Sequence, residues 1–372
     1  MSAGLDGIPT PALVLDRRRL RENAATMRSR MERHGVALRP HLKTAKSAQV
    51  ARVLTDGCEG GITVSTLQEA AYFVEHGFRD ITYAVSILPE RVDRVAALQR
   101  EGARVRLITD DPGVARALGE RAAALDARLD VLVEVDSGQG RTGVPPTGPE
   151  LLEVAEALRA SPRIRVAGVL THAGHAYGCD GPDGVRAVAE EERAGIVGAA
   201  RRLQDAGIEC PVVSAGSTPT AIHAARLDGV TEMRPGNYAF FDLFQEGIGS
   251  CSRDAIALTV LAAVLAPARH GRIVVDAGSL ALSSDRGANR FGEVGYGVVL
   301  DVAGQPLGLR VREVNQEHGI LEVDGPVPSL RPGTRVRILP NHACLTAAMF
   351  DRYHVVEGEP EIIEEWERTN RW

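Results

Sequence analysis

The strongest constraint on the fold is an alternation of short apolar runs with amphipathic runs. β-branched runs such as residues 61–66 and 104–110 predict strands. Runs with apolar spacing of three to four that end at glycine, such as residues 67–77, predict helices. At least seven strand–helix alternations predict a parallel sheet with crossover helices. Eight such units fill about 250 residues, the size of a TIM barrel. An open doubly wound sheet is the alternative, weakened because no GxGxxG motif follows the first strand.

The pattern changes near Arg253. Beyond this point the strand-like runs are broken by glycine, proline and aspartate, and no long helical pattern intervenes. We therefore predict a (β/α)8 barrel domain in residues 1–250 and a β-rich domain in residues 251–372. Whether residues 1–15 pack with the second domain is left open.

Composition and charge limit which binding partners and which cellular compartment we expect for this chain. The chain has 372 residues and a net charge of −6, which argues against nucleic acid or an acidic membrane as a partner. No apolar run approaches the ~18 residues that span a bilayer, and the N-terminus lacks a secretory signal pattern. The five cysteines show no CxxC spacing, so we predict a cytoplasmic protein without a disulfide framework.

Chemically active residues stand where barrel strands are predicted to end, the side of a TIM barrel that carries function. The run "RPHLKTAK" follows an early strand and contains Lys43 and Lys46. The runs "SAGSTPT" and "RPGNY" place small residues and backbone N–H groups on two late loops, where TIM barrels frequently bind phosphate. Taken singly, each run is also explained as an ordinary turn. Together, a phosphate cradle and a lysine predict pyridoxal phosphate held as a Schiff base. The predicted phosphate contacts are Gly216, Ser217, Thr218, Gly236, Asn237 and Tyr238.

A second motif is "PNHAC", residues 340–344. His342 and Cys344 are two positions apart on a predicted strand end, and strand alternation would place both side chains on one face. Imidazole and thiolate suit Zn²⁺. By itself the pair is weak evidence, because structural zinc sites have four protein ligands, and plain packing is the simpler interpretation.

Eight motifs spread over nearly the whole chain resemble those of the fold-type III pyridoxal-phosphate enzymes, the alanine-racemase-like group. More closely, the chain resembles the D-serine dehydratase and D-threonine aldolase family. The resemblance implies an eight-stranded barrel followed by a β-rich domain, and a homodimer with each active site near the subunit interface. The motifs are "TPALVLD", "RPHLKTAK", "DSGQGRTGV", "THAGHAYG", "SAGSTPT", "RPGNYAFFD", "QEHG" and "PNHACLT".

The resemblance also implies roles for individual residues. It selects Lys43 as the Schiff-base lysine and leaves Lys46 at the surface. Partial desolvation at the barrel mouth is expected to lower the pKa of Lys43 and free its amine. Arg141 would lie beside the cofactor's ring oxygen, with a helix-capping salt bridge as the alternative. The residues expected to line the cofactor ring are His172, His175 and Tyr177, with the partner of the pyridine nitrogen unassigned.

The resemblance further implies that His342 and Cys344 bind a metal, with His318 as a possible neighbour of the metal or the substrate. Within the family, dehydratases carry His-x-Cys with zinc, and D-threonine aldolases carry His-x-Asp with harder ions such as Mn²⁺. Hard and soft ligand preferences agree with this division. Cys344 therefore favours a D-serine dehydratase-like lyase, which releases a keto acid and ammonia from a D-amino acid.

Several alternatives remain. Retro-aldol cleavage would give glycine and an aldehyde, and D-threo-3-hydroxyaspartate could replace D-serine as the substrate of dehydration. An amino-acid racemase would need no metal pair. A non-catalytic pyridoxal-phosphate carrier would lack the β-rich domain, and a barrel without a cofactor would make Lys43 incidental.

Overall fold

The computed structural model describes residues 4–58, 60–269, 271–322 and 330–370. The chain divides into two compact units. The barrel unit comprises residues 27–43 and 54–236, and the β unit comprises the described residues of 1–26, 44–53 and 237–370. Among the described residues, no helix is both long enough and apolar enough to cross a membrane.

The strands and helices follow in chain order. The strands are β1 (Ala12–Asp16), β2 (Ala37–Leu38), β3 (Ile62–Val64), β4 (Asp80–Ser86), β5 (Arg104–Thr109), β6 (Leu129–Val135), β7 (Ile164–Thr171), β8 (Val212–Ala215), β9 (Glu232–Met233), β10 (Leu258–Arg269), β11 (Arg272–Val275), β12 (Gly297–Leu300), β13 (Pro306–Val314), β14 (Gly319–Glu322), β15 (Arg335–Pro340), β16 (Arg352–Val356) and β17 (Glu364–Glu367). The helices are α1 (Arg17–His34), α2 (Ala48–Thr55), α3 (Leu67–Glu75), α4 (Val92–Arg100), α5 (Pro112–Ala124), α6 (Glu150–Arg159), α7 (Pro182–Asp205), α8 (Thr218–His223), α9 (Leu243–Gly247), α10 (Ser279–Leu282) and α11 (Ala343–Ala347).

The barrel unit contains eight parallel strands in the order β2-β9-β8-β7-β6-β5-β4-β3. The two edges of this sheet meet at a parallel bridge between His41 and Thr63. There the N–H of Leu42 donates to the carbonyl of Thr63 at 2.8 Å. This bridge closes the sheet, which confirms the predicted TIM-like barrel. Most residues of these strands are buried, as expected for parallel strands covered on both faces, and a core cluster includes Ile108 and Leu132.

An ionic network inside the barrel unit fixes the strand that leads to Lys43. The buried guanidinium of Arg39 donates to Glu232 at 2.8 Å and to Asp80 at 2.9 Å. Burial alone would raise the pKa of Glu232, but the charges of Arg39 and Arg106 and the hydrogen bonds from Ser214 and Arg39 together outweigh it, and this pKa is lowered. Because breaking a buried pair leaves an uncompensated charge, the network holds the end of β2 in one register.

The β unit contains a nine-stranded sheet in the order β11-β14-β13-β12-β15-β10-β1-β16-β17. Strand β11 also pairs with β10, so six of the strands form a closed, antiparallel barrel. Strand β1 lies between antiparallel β10 and parallel β16. Its five residues are buried, and Val14 packs in a cluster with Leu5 and Leu261. The predicted β-rich architecture is confirmed, while the boundary at residues 250 and 251 stays a prediction.

Candidate active site

A cavity of about 310 Å³ opens at the carboxyl ends of the barrel strands. Small-molecule sites begin near this volume, at roughly 300 Å³. The residues that line the cavity lie at or after the ends of seven of the eight strands, as expected for a TIM-barrel active site. They include His41, Lys43, Arg141, His172, Gly216 and Arg234.

Lys43 lies on the rim of this cavity. Its side chain is exposed and forms no ion pair within the described ranges of the chain. The expectation of partial desolvation is therefore wrong for this structure, because Lys43 lies beyond the end of β2, where the cavity opens to solvent. The backbone N–H of Lys43 donates to Nδ1 of His41 at 3.4 Å, which orients that ring. The amine itself is left available to react.

Two imidazoles beside Lys43 are held neutral. Burial, followed by the charges of Lys43 and Arg234, lowers the pKa of His41 well below its ordinary value. The same causes lower the pKa of His172 to about 3. Nδ1 of His172 lies 3.3 Å from the carbonyl of Gly216, to which the neutral ring can donate. Both rings can therefore offer uncharged faces to a flat ligand.

Glu192, on α7, joins two of the loops and was not predicted. Its buried carboxylate accepts the N–H groups of Ala173 at 2.9 Å and Gly216 at 3.0 Å. Burial raises the pKa of Glu192. The available signal was a carboxylate on the buried face of α7, in helical spacing with Ala189 and Ile196. Because it bonds both loops, Glu192 fixes the loop after β7 relative to the loop after β8.

Gly216 and Gly236 occupy positions in the barrel unit where any side chain would clash with neighbouring atoms. Gly216 has φ +109°, and a Cβ there would lie 2.8 Å from Cε of Met233. A Cβ on Gly236 would lie 2.6 Å from the carbonyl oxygen of His41. A side chain at either position would push the adjoining backbone aside, so glycine allows the close approach.

Several predicted phosphate donors are already bonded within the protein. The N–H of Gly216 donates to Glu192, and Ser217 forms a capping box with Thr220 at the start of α8. Thr218 is the buried first residue of that helix. Apart from Gly216, the predicted phosphate contacts do not line the cavity. Their role at the phosphate stays a prediction.

Asn237 and Tyr238 belong to the β unit and are both buried. Nδ2 of Asn237 donates to Asp242 at 2.7 Å. Asp242 also accepts the N–H of Ala343, which lies between the two predicted metal ligands, at 2.9 Å. Burial raises the pKa of Asp242. This carboxylate, the last residue of the motif "RPGNYAFFD", thus anchors the start of α11.

Arg141 is presented by a tightly bonded loop. The Asp136 carboxylate accepts the N–H groups of Gly138 and Gln139 at 2.9 Å and of Gly140 at 3.1 Å. This loop brings the exposed Arg141 to the cavity. Within the described residues Arg141 forms no hydrogen bond or ion pair, so the alternative of a helix-capping salt bridge is wrong there. The guanidinium is positioned to meet an anionic group.

Tyr177 and His175 lie in a short 3-10 turn, Gly174–Gly178, after β7. Both side chains are half-buried, and neither lines the cavity. Nε2 of His175 lies 3.9 Å from Glu191. Their contact with a cofactor ring stays a prediction.

His342 and Cys344 lie on a helix start, which corrects the predicted strand end. Strand β15 ends at Pro340, and His342 caps α11 with φ −140° and ψ 100°. Cys344 is the second helical residue. The strand expectation failed because a five-residue helix is too short to show a helical period. The two side chains nevertheless meet, through a hydrogen bond between the imidazole and the thiol.

The surroundings of the pair suit a metal. Nδ1 of His342 donates to Asp285 at 2.8 Å, which would leave Nε2 as the predicted ligand atom. Sγ of Cys344 lies 3.0 Å from the hydroxyl of Thr44. Burial lowers the pKa of His342, but the hydrogen bonds to Asp285 and Cys344 outweigh it and raise that pKa to about 11.

The described residues contain no cluster of three or more histidine, cysteine, aspartate or glutamate side chains able to hold a metal. The pair is thus a two-ligand candidate, which leaves coordination positions for substrate and water. Asp285 was not predicted, because nothing in the run "LSSD" distinguishes it from a turn. His318 is exposed in the turn between β13 and β14, and its role stays a prediction.

The side chains around the cavity suit the implied cofactor, and the His342–Cys344 pair suits the implied metal. An unpaired amine, two neutral imidazoles and a free guanidinium around one cavity suit a flat, anionic aldehyde such as pyridoxal phosphate. One imidazole nitrogen and one thiol, with a carboxylate bonded to the imidazole, suit a borderline to soft divalent cation.

Comparisons with known proteins agree with the family that the sequence motifs resemble. Residues 15–243 match the family model "Alanine racemase, N-terminal domain", and residues 257–356 match "Putative serine dehydratase domain". The chain belongs to this family of fold-type III pyridoxal-phosphate enzymes, whose related members are dehydratases and aldolases. The resemblance noted from the motifs is thereby confirmed.

Three relatives are similar over almost the whole chain. D-threo-3-hydroxyaspartate dehydratase of Delftia sp. (strain HT23) is 44% identical over 375 residues, covering 98% of each chain. D-serine dehydratase of Dictyostelium discoideum is 30% identical, covering 99% of this chain and 98% of its own. D-threonine aldolase of Arthrobacter sp is 30% identical, covering 98% and 93%.

Solved structures show the same similarity. The Delftia sp. HT23 D-threo-3-hydroxyaspartate dehydratase superposes with a TM-score of 0.95 at 44% identity, covering 99% of this chain and all of its own. Structures of D-threo-3-hydroxyaspartate dehydratase include one with a histidine replaced by alanine. Another has a cysteine two positions later replaced by alanine and is in a metal-free form. That spacing equals the spacing of His342 and Cys344.

Replacing Asp285 by asparagine is expected to weaken metal binding by about 10–100-fold, the usual effect of removing a carboxylate behind a histidine ligand. Asparagine can still accept one hydrogen bond, but it lacks the charge that raises the basicity of His342. The measurement is zinc affinity by competition with a chromogenic chelator. Asp301→Asn is the control, because Asp301 accepts the N–H of Gln305 in the same unit. Equal zinc affinities in the two variants would contradict this role.

Proposed function

We propose that the chain is a pyridoxal-phosphate- and zinc-dependent dehydratase of D-3-hydroxy amino acids. The observation that carries the proposal is the His342–Cys344 pair, with Asp285 bonded to the imidazole. A thiol ligand favours zinc over harder ions and so favours dehydration over aldol cleavage. Overall, the substrate loses its α-proton and β-hydroxyl as water, and hydrolysis of the product then releases a 2-oxo acid and ammonia.

Each residue has a part in this proposal. When bound, pyridoxal phosphate would acidify the substrate's Cα–H, and zinc would polarise its β-hydroxyl. Lys43 would hold the cofactor through its amine, and the same amine, released when the substrate takes its place, would remove the α-proton. Arg141 would offer its guanidinium to the cofactor's ring oxygen, and His172 would face the ring as a neutral imidazole.

D-threo-3-hydroxyaspartate is the first substrate to be tested. The relative that carries this name is 44% identical, whereas the D-serine dehydratase is 30% identical. D-serine, the substrate favoured by the motifs, is therefore the second. A dicarboxylate would need a cation in the site besides Arg141.

A D-threonine aldolase activity is the second candidate, because a relative with that name is 30% identical over nearly the whole chain. It would cleave the Cα–Cβ bond to give glycine and an aldehyde. The thiol of Cys344 counts against it, because a carboxylate at this position would select the harder ions associated with aldol cleavage.

The proposed enzyme is a cytoplasmic homodimer. All five cysteines are free thiols, which suits a reducing compartment. Leu280 on α10, Leu345 on α11 and Met349 just after α11 are exposed, in the same unit as the metal pair. Exposed apolar side chains grouped in this way are typical of surfaces that bind protein, and a second copy of the chain would cover them.

The test is product analysis with the protein loaded with pyridoxal phosphate and zinc. D-threo-3-hydroxyaspartate, D-serine and D-threonine are supplied in turn, together with their L forms. The proposal expects 2-oxo acid and ammonia in equal amounts from the D forms, fastest from the hydroxyaspartate. Glycine with an aldehyde as the main products, or turnover of the L forms alone, would contradict it.

A further inference from the structure

Arg368 is a buried cation bonded to backbone carbonyls. Only 7% of the residue is exposed. Among the described residues, no carboxylate lies within ion-pair distance of its guanidinium. The guanidinium instead donates to the carbonyls of Thr44, Ala45, Ala347 and Phe350. A buried charge is costly unless each of its donors is satisfied, so this arrangement calls for an explanation.

Two of those carbonyls belong to the residues that directly follow Lys43. Nη2 of Arg368 donates to the carbonyl of Thr44 at 3.3 Å, and Nε donates to that of Ala45 at 3.2 Å. The side chain of Thr44 itself contacts Sγ of Cys344 at 3.0 Å. The guanidinium therefore holds the backbone that directly follows the proposed Schiff-base lysine, beginning at Thr44, the residue that contacts the proposed metal ligand.

The other two carbonyls lie at the end of α11, the helix that carries the metal pair. Nη1 of Arg368 donates to the carbonyls of Ala347 and Phe350, the latter at 2.6 Å. Carbonyls at a helix C-terminus have no partner within the helix, and a cation there is favourable. One side chain thus fixes the far end of the helix that His342 caps.

The segment after Lys43 is held by further bonds at the same place. The hydroxyl of Tyr353 donates to the carbonyl of Ala45 at 2.6 Å. The N–H of Thr369 donates to the carbonyl of Lys46 at 2.8 Å. Lys46 has φ +48°, a conformation that is costly for a residue with a side chain and persists only when its surroundings enforce it. The carbonyls of Thr44, Ala45 and Lys46 all accept hydrogen bonds, and these bonds hold Lys46 in that conformation.

We infer that Arg368 is a positioning residue for both the Lys43 segment and the metal helix. This inference rests on the proposed function. The planar guanidinium has five donors in a fixed geometry, enough to reach carbonyls on two separate segments at once. Lysine carries three donors on one nitrogen and cannot span the same set. Removal of the guanidinium is expected to loosen both elements, so that zinc affinity and turnover fall together.

The test compares Arg368→Met and Arg368→Lys with Arg337→Met. Arg337 is the matched control, because it is equally buried at 7% in the same unit and donates to Thr259 on β10. The first measurement is zinc affinity of the cofactor-free protein, by chelator competition with zinc alone. The second is the absorbance spectrum after addition of pyridoxal phosphate, and the third separates kcat from KM.

Arg368→Met is expected to lose zinc affinity by about tenfold or more, as when other residues that support metal ligands are replaced. Arg368→Lys is expected to lose less zinc affinity. kcat falls with it while KM changes little, and Arg337→Met keeps zinc affinity even if it unfolds more easily. Equal zinc affinity in Arg368→Met and Arg337→Met overturns the inference. Wild-type protein that binds neither zinc nor pyridoxal phosphate would instead overturn the proposed function.

If Arg368→Met does not fold, Tyr353→Phe carries the test. This substitution keeps the buried ring and removes the hydroxyl, which donates to Ala45 and accepts from Nε of Arg368 at 2.8 Å. The inference expects a shifted cofactor spectrum and a lower kcat in Tyr353→Phe. A spectrum and a kcat equal to those of the wild type would contradict it.

Discussion

Arginine in place of Lys43 is expected to lower kcat for ammonia release by about 10⁴-fold or more, because a proton-transfer group and a covalent anchor are lost together. Arginine keeps the positive charge, but it stays protonated at every relevant pH and cannot serve as a base or form the Schiff base. The measurements are ammonia release and the absorbance of the bound cofactor.

The matched control is Lys46→Arg, which removes the other amine of the motif "RPHLKTAK" and also keeps its charge. Its kcat is expected to stay within about threefold of the wild type, since Lys46 does not line the cavity and the substitution keeps its charge. Full activity in Lys43→Arg, or loss of activity confined to Lys46→Arg, would contradict the assignment of Lys43.

Alanine in place of Cys344 is expected to lower zinc affinity and dehydration at least about 100-fold, because only one protein ligand remains and the Lewis acid is lost. Cys344→Asp restores a ligand, but a hard one, and is expected to shift metal preference from zinc toward Mn²⁺. With Mn²⁺ bound, the glycine fraction among the products is expected to rise.

Cys251→Ala is the control for the thiol, because Cys251 is also a free, half-buried cysteine in the same unit. It is expected to leave zinc affinity unchanged. The metal assignment would be contradicted if Cys344→Ala bound zinc as tightly as Cys251→Ala.

The two architectures could be predicted from sequence because each repeats a periodic pattern many times. The barrel strands are short, apolar and separated by amphipathic helices, so their type follows from the spacing alone. The start of α11 could not be predicted in this way. Its five residues span little more than one turn, and His342 and Cys344 fit a strand period equally well.

The side chains that hold the site in place were harder to predict than the reactive ones. Lys43 and the His342–Cys344 pair belong to compact motifs. Glu192, Asp285 and Arg368 act on partners far away in sequence, and no local pattern marks them. Their roles depend on tertiary burial, which a single sequence does not reveal. The exposure of Lys43 was missed for the same reason, because it depends on where β2 ends within the closed barrel.

The most direct test of the central claim is ammonia release from D-threo-3-hydroxyaspartate by one preparation in three states. The protein is measured as loaded with pyridoxal phosphate and zinc, after removal of the metal by a chelator, and after zinc is restored. A metal- and pyridoxal-dependent dehydratase is expected to release ammonia with equal 2-oxo acid in the first and third states and to lose most of this activity in the second. Undiminished release after metal removal, or glycine as the main product in the zinc-loaded states, would contradict the account.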